Sequence, residues 1–372
     1  MDWNYDVLHM DVLDGQGREL MYEPDSPNPF AGKVQAPGWT VLEDGRVRFS
    51  LYYPDATTVT IDRYADKLSL TKEGKYFTGT FEMGDGFIPM RILVDGSAVI
   101  CRNLLIGFGG NEPINYIEVP EKDMDYGTPE TPHGTISVNF LHSQVTDRLE
   151  RFQVYLPAAY DSEPETHFPV LYLQHGHGEN EACWVSQGKM NFIMDALIAQ
   201  GKAKPMIVVM LNGMVTDHHL PKEERRLNAP LIEDLLTKDI IPYIDHRYRT
   251  LTDREHRAMA GLSMGSMQSC RIGMEHQDLF AYCGLFSGFM HDILSQNNNH
   301  LRQENLETFN DNMEVFFRAM GDKDVFIQNF YDDDKFVQEH GIHCVRRIYD
   351  GTHEWKVWRR CLRDFAQMLF CD

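Results

Sequence analysis

Five residues, Gly261-Leu262-Ser263-Met264-Gly265, set a serine between two glycines at the spacing G-x-S-x-G. That spacing suits a sharp turn from strand to helix: the serine is forced into a strained backbone conformation, and side chains two residues to either side would collide. A hydroxyl presented in this way attacks a carbonyl carbon once a base removes its proton and backbone donors meet the charge that forms on the oxygen. One donor is the N–H of Met264, at the head of the helix that should follow. The other belongs on a loop after an earlier strand. Gln174-His175-Gly176-His177-Gly178 occupies that place, which assigns the donor to the N–H of His177. The H-x-H spacing of His175 and His177 also suits a metal pair, but with no companion ligand at suitable spacing beside it no metal is assigned.

The base should arrive late in the chain if the order is serine, acid, histidine. Of the 16 histidines, His353 fits best: in Asp350-Gly351-Thr352-His353-Glu354-Trp355 it follows a strand and a glycine turn and precedes a helical run. The acid belongs at a strand end between serine and histidine, where it orients the imidazole and stabilises its cation. Arg318-Ala319-Met320-Gly321-Asp322-Lys323-Asp324 offers two candidates, of which Asp324 is preferred over Asp322, although spacing alone hardly separates them. Asp292 and the run Asp332-Asp333-Asp334 are read as solvated loop or helix-start residues. Asp217-His218-His219 decorates a loop after a strand on the same face. His175, Trp184, His218 and Trp355 are the candidate substrate contacts.

The elements that must hold these residues change character along the chain. From about residue 38 to 116, short alternating runs (46–53, 59–61, 76–81 and 89–94) are broken by Pro54-Asp55, Asp85-Gly86 and Asp95-Gly96, the pattern of a small all-β immunoglobulin-like sandwich. Residues 120–132 are acidic and proline-rich, as an interdomain linker would be. The expected organisation is a β domain over 1–119, a linker over 120–134 and a catalytic domain over 135–372. In the last, apolar runs at 168–173, 206–211, 257–260, 282–286 and 314–320 alternate with helical stretches at 191–199, 231–248, 264–275 and 332–339. Such alternation predicts βαβ units and a mostly parallel central sheet, the α/β-hydrolase class.

Composition agrees and excludes other classes. Hydrophobic residues are 42% and charged residues 24% of 372, ordinary for a globular protein. A formal charge of −21 argues against nucleic acid and anionic membrane surfaces as partners. No window approaches the ~18 apolar residues of a membrane span, and Met1-Asp2-Trp3-Asn4-Tyr5-Asp6 has no basic start or apolar stretch. Seven widely spaced cysteines without a C-x-x-C pair read as reduced, buried thiols. Together these features predict a cytoplasmic protein.

The motifs, taken in order, resemble bacterial feruloyl esterases of the esterase D-like group. The resemblance runs from Pro132 to the C-terminus through Pro132-His133-Gly134, Leu171-Tyr172-Leu173-Gln174-His175-Gly176 with Glu179, Glu181 and Trp184, Gly188-Lys189, residues 201–206 and 239–244, the serine motif, and Gly351-x-His353-x-Trp355-x-x-Trp358-Arg359. It implies Ser263, Asp324 and His353 as a triad, hydrolysis of hydroxycinnamate esters of plant carbohydrates, a small ester or a feruloylated oligosaccharide as substrate, and no cofactor. Upstream, Phe49-Ser50-Leu51-Tyr52-Tyr53-Pro54-Asp55-Ala56 is similar to the start of the early-set, glycogen-binding-like module often fused to such esterases, with a structural role favoured over sugar binding. Two positions depart: His177 and Ser266 stand where glycine is common, which puts the acyl group in question and leaves the reaction type intact. A siderophore esterase of the enterochelin type, using Arg225 and Arg226, and an acetyl or other short-acyl carbohydrate esterase are the alternatives. A carbohydrate-binding protein with a decayed hydrolase domain is the reading from another class, which the intact triad order opposes. A homodimer is compatible with the sequence.

Overall fold

The computed structural model describes residues 38–63, 66–225, 229–290 and 303–371 and divides the chain into two compact units, Met1–Lys122 and Asp123–Asp372. Asp292 and Arg226 lie outside the described residues.

Among the described residues the first unit is all β. One sheet of four strands has the order Trp39–Val41, Val47–Tyr52, Tyr76–Phe81, Thr71–Glu73. A sheet of six is centred on the long strand Gly86–Val94. Alternation makes this a sandwich: Val47, Phe49 and Leu51 point inward from the first sheet and share one core with Val59, Ile61, Met90, Ile92 and Ile117 of the second.

The second unit is built on eight strands: β1 (Thr135–His142), β2 (Leu149–Leu156), β3 (Val170–Gln174), β4 (Ile207–Leu211), β5 (Arg257–Leu262), β6 (Tyr282–Phe286), β7 (Val315–Gly321) and β8 (Val345–Tyr349). Their order in the sheet is β1-β2-β4-β3-β5-β6-β7-β8, and β2 alone runs against the rest. Every residue of β3 to β6 is buried, so both faces of the sheet centre are covered, which is why these segments read as continuous apolar runs. The covering helices include α1 (Met190–Ala199), α2 (Met264–Glu275), α3 (Ile327–Glu339) and α4 (Trp355–Ala366). The run expected over 231–248 is helical from Ala229 to Arg247, with a π-wound turn at Leu235–Ile240.

Register aligns the strand ends that matter. Gln174 pairs with Gly261, Leu262 with Phe286 and Gly321 with Tyr349, so the loops after β3, β5, β7 and β8 leave one edge of the sheet. Loops at the carboxyl ends of parallel strands are where α/β sheets place ligands.

Part of the segment expected to be a linker is bound to this unit. Asp123 accepts from Arg360 Nε at 2.8 Å, and the buried Asp195 accepts from Gly134 N–H at 3.0 Å and Tyr155 O–H at 2.7 Å. Among the described residues no helix is long and apolar enough to cross a membrane, and no group of three or more His, Cys, Asp or Glu could hold a metal ion.

Candidate active site

β5 ends at Leu262 and α2 begins at Met264, so Ser263 alone makes the turn, at φ 52° and ψ −116°. That left-handed φ is costly for a residue with a side chain, and the surroundings enforce it. Ser263 N–H donates to the Phe286 carbonyl at 2.9 Å. A Cβ on Gly261 would lie 2.5 Å from the Gly265 carbonyl, and one on Gly265 would lie 2.5 Å from the His175 carbonyl oxygen. Both collisions are with backbone, so no rotamer relieves them.

Three side chains form a relay. His353 Nε2 lies 2.8 Å from Ser263 Oγ, and His353 Nδ1 lies 2.8 Å from Asp324 Oδ2. Asp324 is 2% exposed, and its Oδ1 accepts the Phe326 N–H at 3.0 Å, which turns the other oxygen to the imidazole. An ionised carboxylate only accepts, so Nδ1 carries the ring proton and Nε2 is left to accept from the serine hydroxyl. The Phe326 and Trp358 rings hold the imidazole edge-on at 5.3 and 5.2 Å. Asp322, the other sequence candidate, faces elsewhere: its Oδ1 accepts the Gly351 N–H at 3.0 Å and pins the loop that carries His353. The same loop crosses the end of β7 so closely that a Cβ on Gly321 would meet the Gly351 carbonyl oxygen at 2.4 Å.

The loop after β3 lies against the elbow, where a Cβ on Gly176 would be 3.5 Å from Ser263 Cβ. His177 is exposed, and Met264, at the head of α2, is buried. His175, expected to touch substrate, is 0% exposed; its ring contacts the Gly176 carbonyl and the Gly213 N–H. Burial pushes its pKa down to about 4. Trp184 and Trp355 are likewise inside, at 1% and 3% exposure. Their rings meet edge-to-face at 5.1 Å, and Trp184 Nε1–H donates to the Gln174 carbonyl at 2.9 Å. These three are therefore corrected from substrate contacts to buried supports of the loop: two backbone hydrogen bonds take up the imidazole, and packing takes up the two indoles. His218 is exposed, with Arg148 Nη1 2.6 Å from one ring nitrogen and Arg225 Nη1 2.9 Å from the other. Lost hydration and then the two guanidiniums push its pKa down.

Three residues without a role from residue type and spacing belong to this neighbourhood. Glu179 Oε2 accepts the Gly176 N–H at 3.0 Å, and burial pushes its carboxyl up to about 7. Gln268, on α2, donates from Nε2 to the Gly213 carbonyl at 2.8 Å. A glutamate three residues after Gly176 was a signal of sorts, whereas Gly213 and Gln268 left none. Ser266, where glycine was expected, donates from Oγ to the Ser263 carbonyl at 2.6 Å, and Gly288 makes room for it.

Comparison with known proteins places this geometry in a family. A relative from Xylanibacter ruminicola, named endo-1,4-beta-xylanase/feruloyl esterase, is 34% identical over 360 residues, covering 92% of this chain and 47% of the relative, so the chain spans about half the length of that protein. Among solved structures, a ferulic acid esterase from Anaeromyces mucronatus shares the fold at 22% identity and TM-score 0.58, covering 68% of this chain and 96% of that one. The enterobactin esterase of Shigella flexneri does so at 13% identity and TM-score 0.65, covering 91% and 97%. The Esterase family model matches residues 143–368, more than half of the chain and the whole of the stretch that carries Ser263, Asp324 and His353, so the protein belongs to the Esterase family.

Proposed function

We propose that the protein is a serine carboxylesterase that hydrolyses hydroxycinnamate esters of plant-derived carbohydrates, with Ser263 as nucleophile, His353 as base and Asp324 as the acid that orients it. The observation that carries this reading is the unbroken relay from Asp324 through His353 to Ser263, 2.8 Å at each step. His353 Nε2 takes the hydroxyl proton as Ser263 Oγ bonds to the ester carbonyl carbon. The tetrahedral intermediate then expels the alcohol, to which His353 returns that proton. Water, deprotonated by the same nitrogen, attacks the acyl-enzyme, and the second tetrahedral intermediate breaks its bond to Ser263 Oγ, which takes the proton back from His353 as the acid is released. The N–H groups of Met264 and His177 receive the oxyanion in both steps, each being worth ~3 kcal/mol of barrier.

An aromatic acyl group is supported by the neighbourhood of the relay. Met214 and Phe326 are only partly buried and rest on an apolar core of Met264, Met267, Phe289, Met320 and Phe330, and Phe326 is the ring that abuts His353. Feruloylated oligosaccharides in the cytoplasm are the natural substrate in this reading; the relative from Xylanibacter ruminicola, named endo-1,4-beta-xylanase/feruloyl esterase, supports the feruloyl group.

The test is kcat/KM for methyl ferulate against an activated acetate ester, with Ser263→Ala as the blank. A strong preference for ferulate and no turnover by Ser263→Ala is the expected result. Preference for acetate keeps the relay and moves the substrate to short acyl groups; hydrolysis of a catecholate siderophore in preference to both moves it to that class. Full activity in Ser263→Ala removes the proposal.

A further inference from the structure

The carbonyl of Gly176 and the N–H of His177 belong to one peptide unit, and in a trans peptide they point in opposite directions. Whatever holds that carbonyl therefore aims that N–H. The shorter of the two bonds that hold it comes from the ring of His175, whose Nδ1 lies 2.7 Å from the Gly176 oxygen; the Glu179 N–H donates to the same oxygen at 3.3 Å. The other nitrogen, Nε2, receives the Gly213 N–H at 2.9 Å. A backbone N–H can only donate, so Nε2 is bare, Nδ1 bears the proton, and the contact to Gly176 is an N–H donated to a carbonyl.

The clamp extends in both directions. Gly213 is fixed in turn by Gln268, whose Nε2 donates to its carbonyl at 2.8 Å, and a Cβ on Gly213 would strike Gln268 Oε1 at 2.7 Å. Gln268 stands on α2, the helix headed by Met264. On the other side, Glu179 Oε2 takes the N–H of Gly176 and so holds the preceding peptide unit. A continuous chain of hydrogen bonds thus joins the helix that bears one amide donor to the loop that bears the other.

We infer that His175 is a positioning residue, which, as the neutral Nδ1–H tautomer, sets the Gly176–His177 peptide so that the His177 N–H faces the oxyanion. The inference rests on the esterase reading above. Full burial of the ring agrees with it, since a protonated imidazole would turn an N–H toward the Gly213 N–H and break the clamp.

Two amide substitutions separate the two nitrogens. The side-chain nitrogen in His175→Asn falls near the place of Nδ1 and can still donate to Gly176. The longer His175→Gln places its oxygen near Nε2, serving Gly213 and leaving the Gly176 carbonyl with only the longer bond from the Glu179 N–H. Kinetics on methyl ferulate, normalised to serine that reacts with a fluorophosphonate, and the affinity of a trifluoromethyl ketone, which mimics the tetrahedral intermediate, are the readouts. His175→Gln should lose ~10²-fold in kcat with little change in KM and bind the ketone weaker by a similar factor. His175→Asn should stay within about tenfold of the parent. Equal kcat in the Asn and Gln variants, or losses that follow the reactive-serine count alone, would overturn the inference. Ser263→Ala is run beside them: if it is inactive while both His175 variants are fully active, only the positioning role fails, whereas activity in Ser263→Ala removes the esterase reading on which the role rests.

Discussion

Two aspartates separated by a single lysine leave the end of β7 and turn to different partners. Asp324 is sealed from water, divides its oxygens between the Phe326 N–H and His353, and so can hold only one imidazole tautomer. Asp322 is half exposed, lies beside Lys323 and accepts one backbone N–H from Gly351. The chemistry of the two substitutions should differ accordingly. In Asp324→Asn the amide can donate to Nδ1 and favour the wrong tautomer, so kcat should fall by roughly 10³- to 10⁴-fold with the fold intact. Asp322→Ala removes one hydrogen bond at a wet site, worth about 1 kcal/mol, so kcat should change by less than about tenfold. Initial rates on methyl ferulate, with circular dichroism to check the fold, decide between them; comparable losses in both variants would contradict the assignment of the acid.

At the scale of elements, the strand-turn-helix around Ser263 tolerates no added atom at its glycines. The contact that a Cβ on Gly265 would make is with the His175 carbonyl, at the start of the loop that carries His177. Gly265→Ala must therefore push helix and loop apart, costing ~1–3 kcal/mol and lowering kcat together with thermal stability; an unchanged Tm and unchanged kcat would show that the elbow can yield. This element was legible in the sequence because its signals are local: glycines at fixed spacing, an apolar run before and a helical run after. The same holds for the loop of His353 and for the fully buried strands. The hairpin of β1 and β2 was not legible, since Val138, Phe140 and Leu149 are exposed on it while Phe152 and Val154 are buried, so apolar residues there do not mark one face. Nor was the inward turn of His175, Trp184 and Trp355, because residue type does not say whether a ring near an active site faces substrate or packing. The hold of Gln268 on Gly213 joins residues 55 apart in the chain, a distance over which no spacing rule operates.

The whole molecule binds and releases protons on folding, and two groups behind the relay do so in opposite senses. His175, ordinarily 6.5, is pushed by burial to about 4, so between those values the unfolded chain holds a proton that the folded one lacks. Stability from this group is present above pH 6.5 and is lost as pH falls toward 4. Glu179, ordinarily 4.5, is pushed by burial to about 7, so between those values the folded chain holds the extra proton. Its effect has the reverse sign: stability falls as pH rises from about 4.5 to about 7. Over pH 4.5 to 6.5 the two slopes oppose, and each is at most about 1.4 kcal/mol per pH unit for a single proton. Glu179→Gln keeps an oxygen to accept the Gly176 N–H but cannot titrate, which should expose the histidine slope. Unfolding free energies from urea titrations at intervals from pH 4.5 to 7 provide the measurement, followed by tryptophan fluorescence, since Trp184, Trp355 and Trp358 all lie in the second unit. The variant should gain stability with rising pH more steeply than the parent up to about 6.5, by as much as one proton's slope, and should not decline between 6.5 and 7. Parallel curves would mean that Glu179 keeps the same protonation state in the folded and unfolded chain, and that the carboxyl beside Gly176 takes no part in the proton balance of folding.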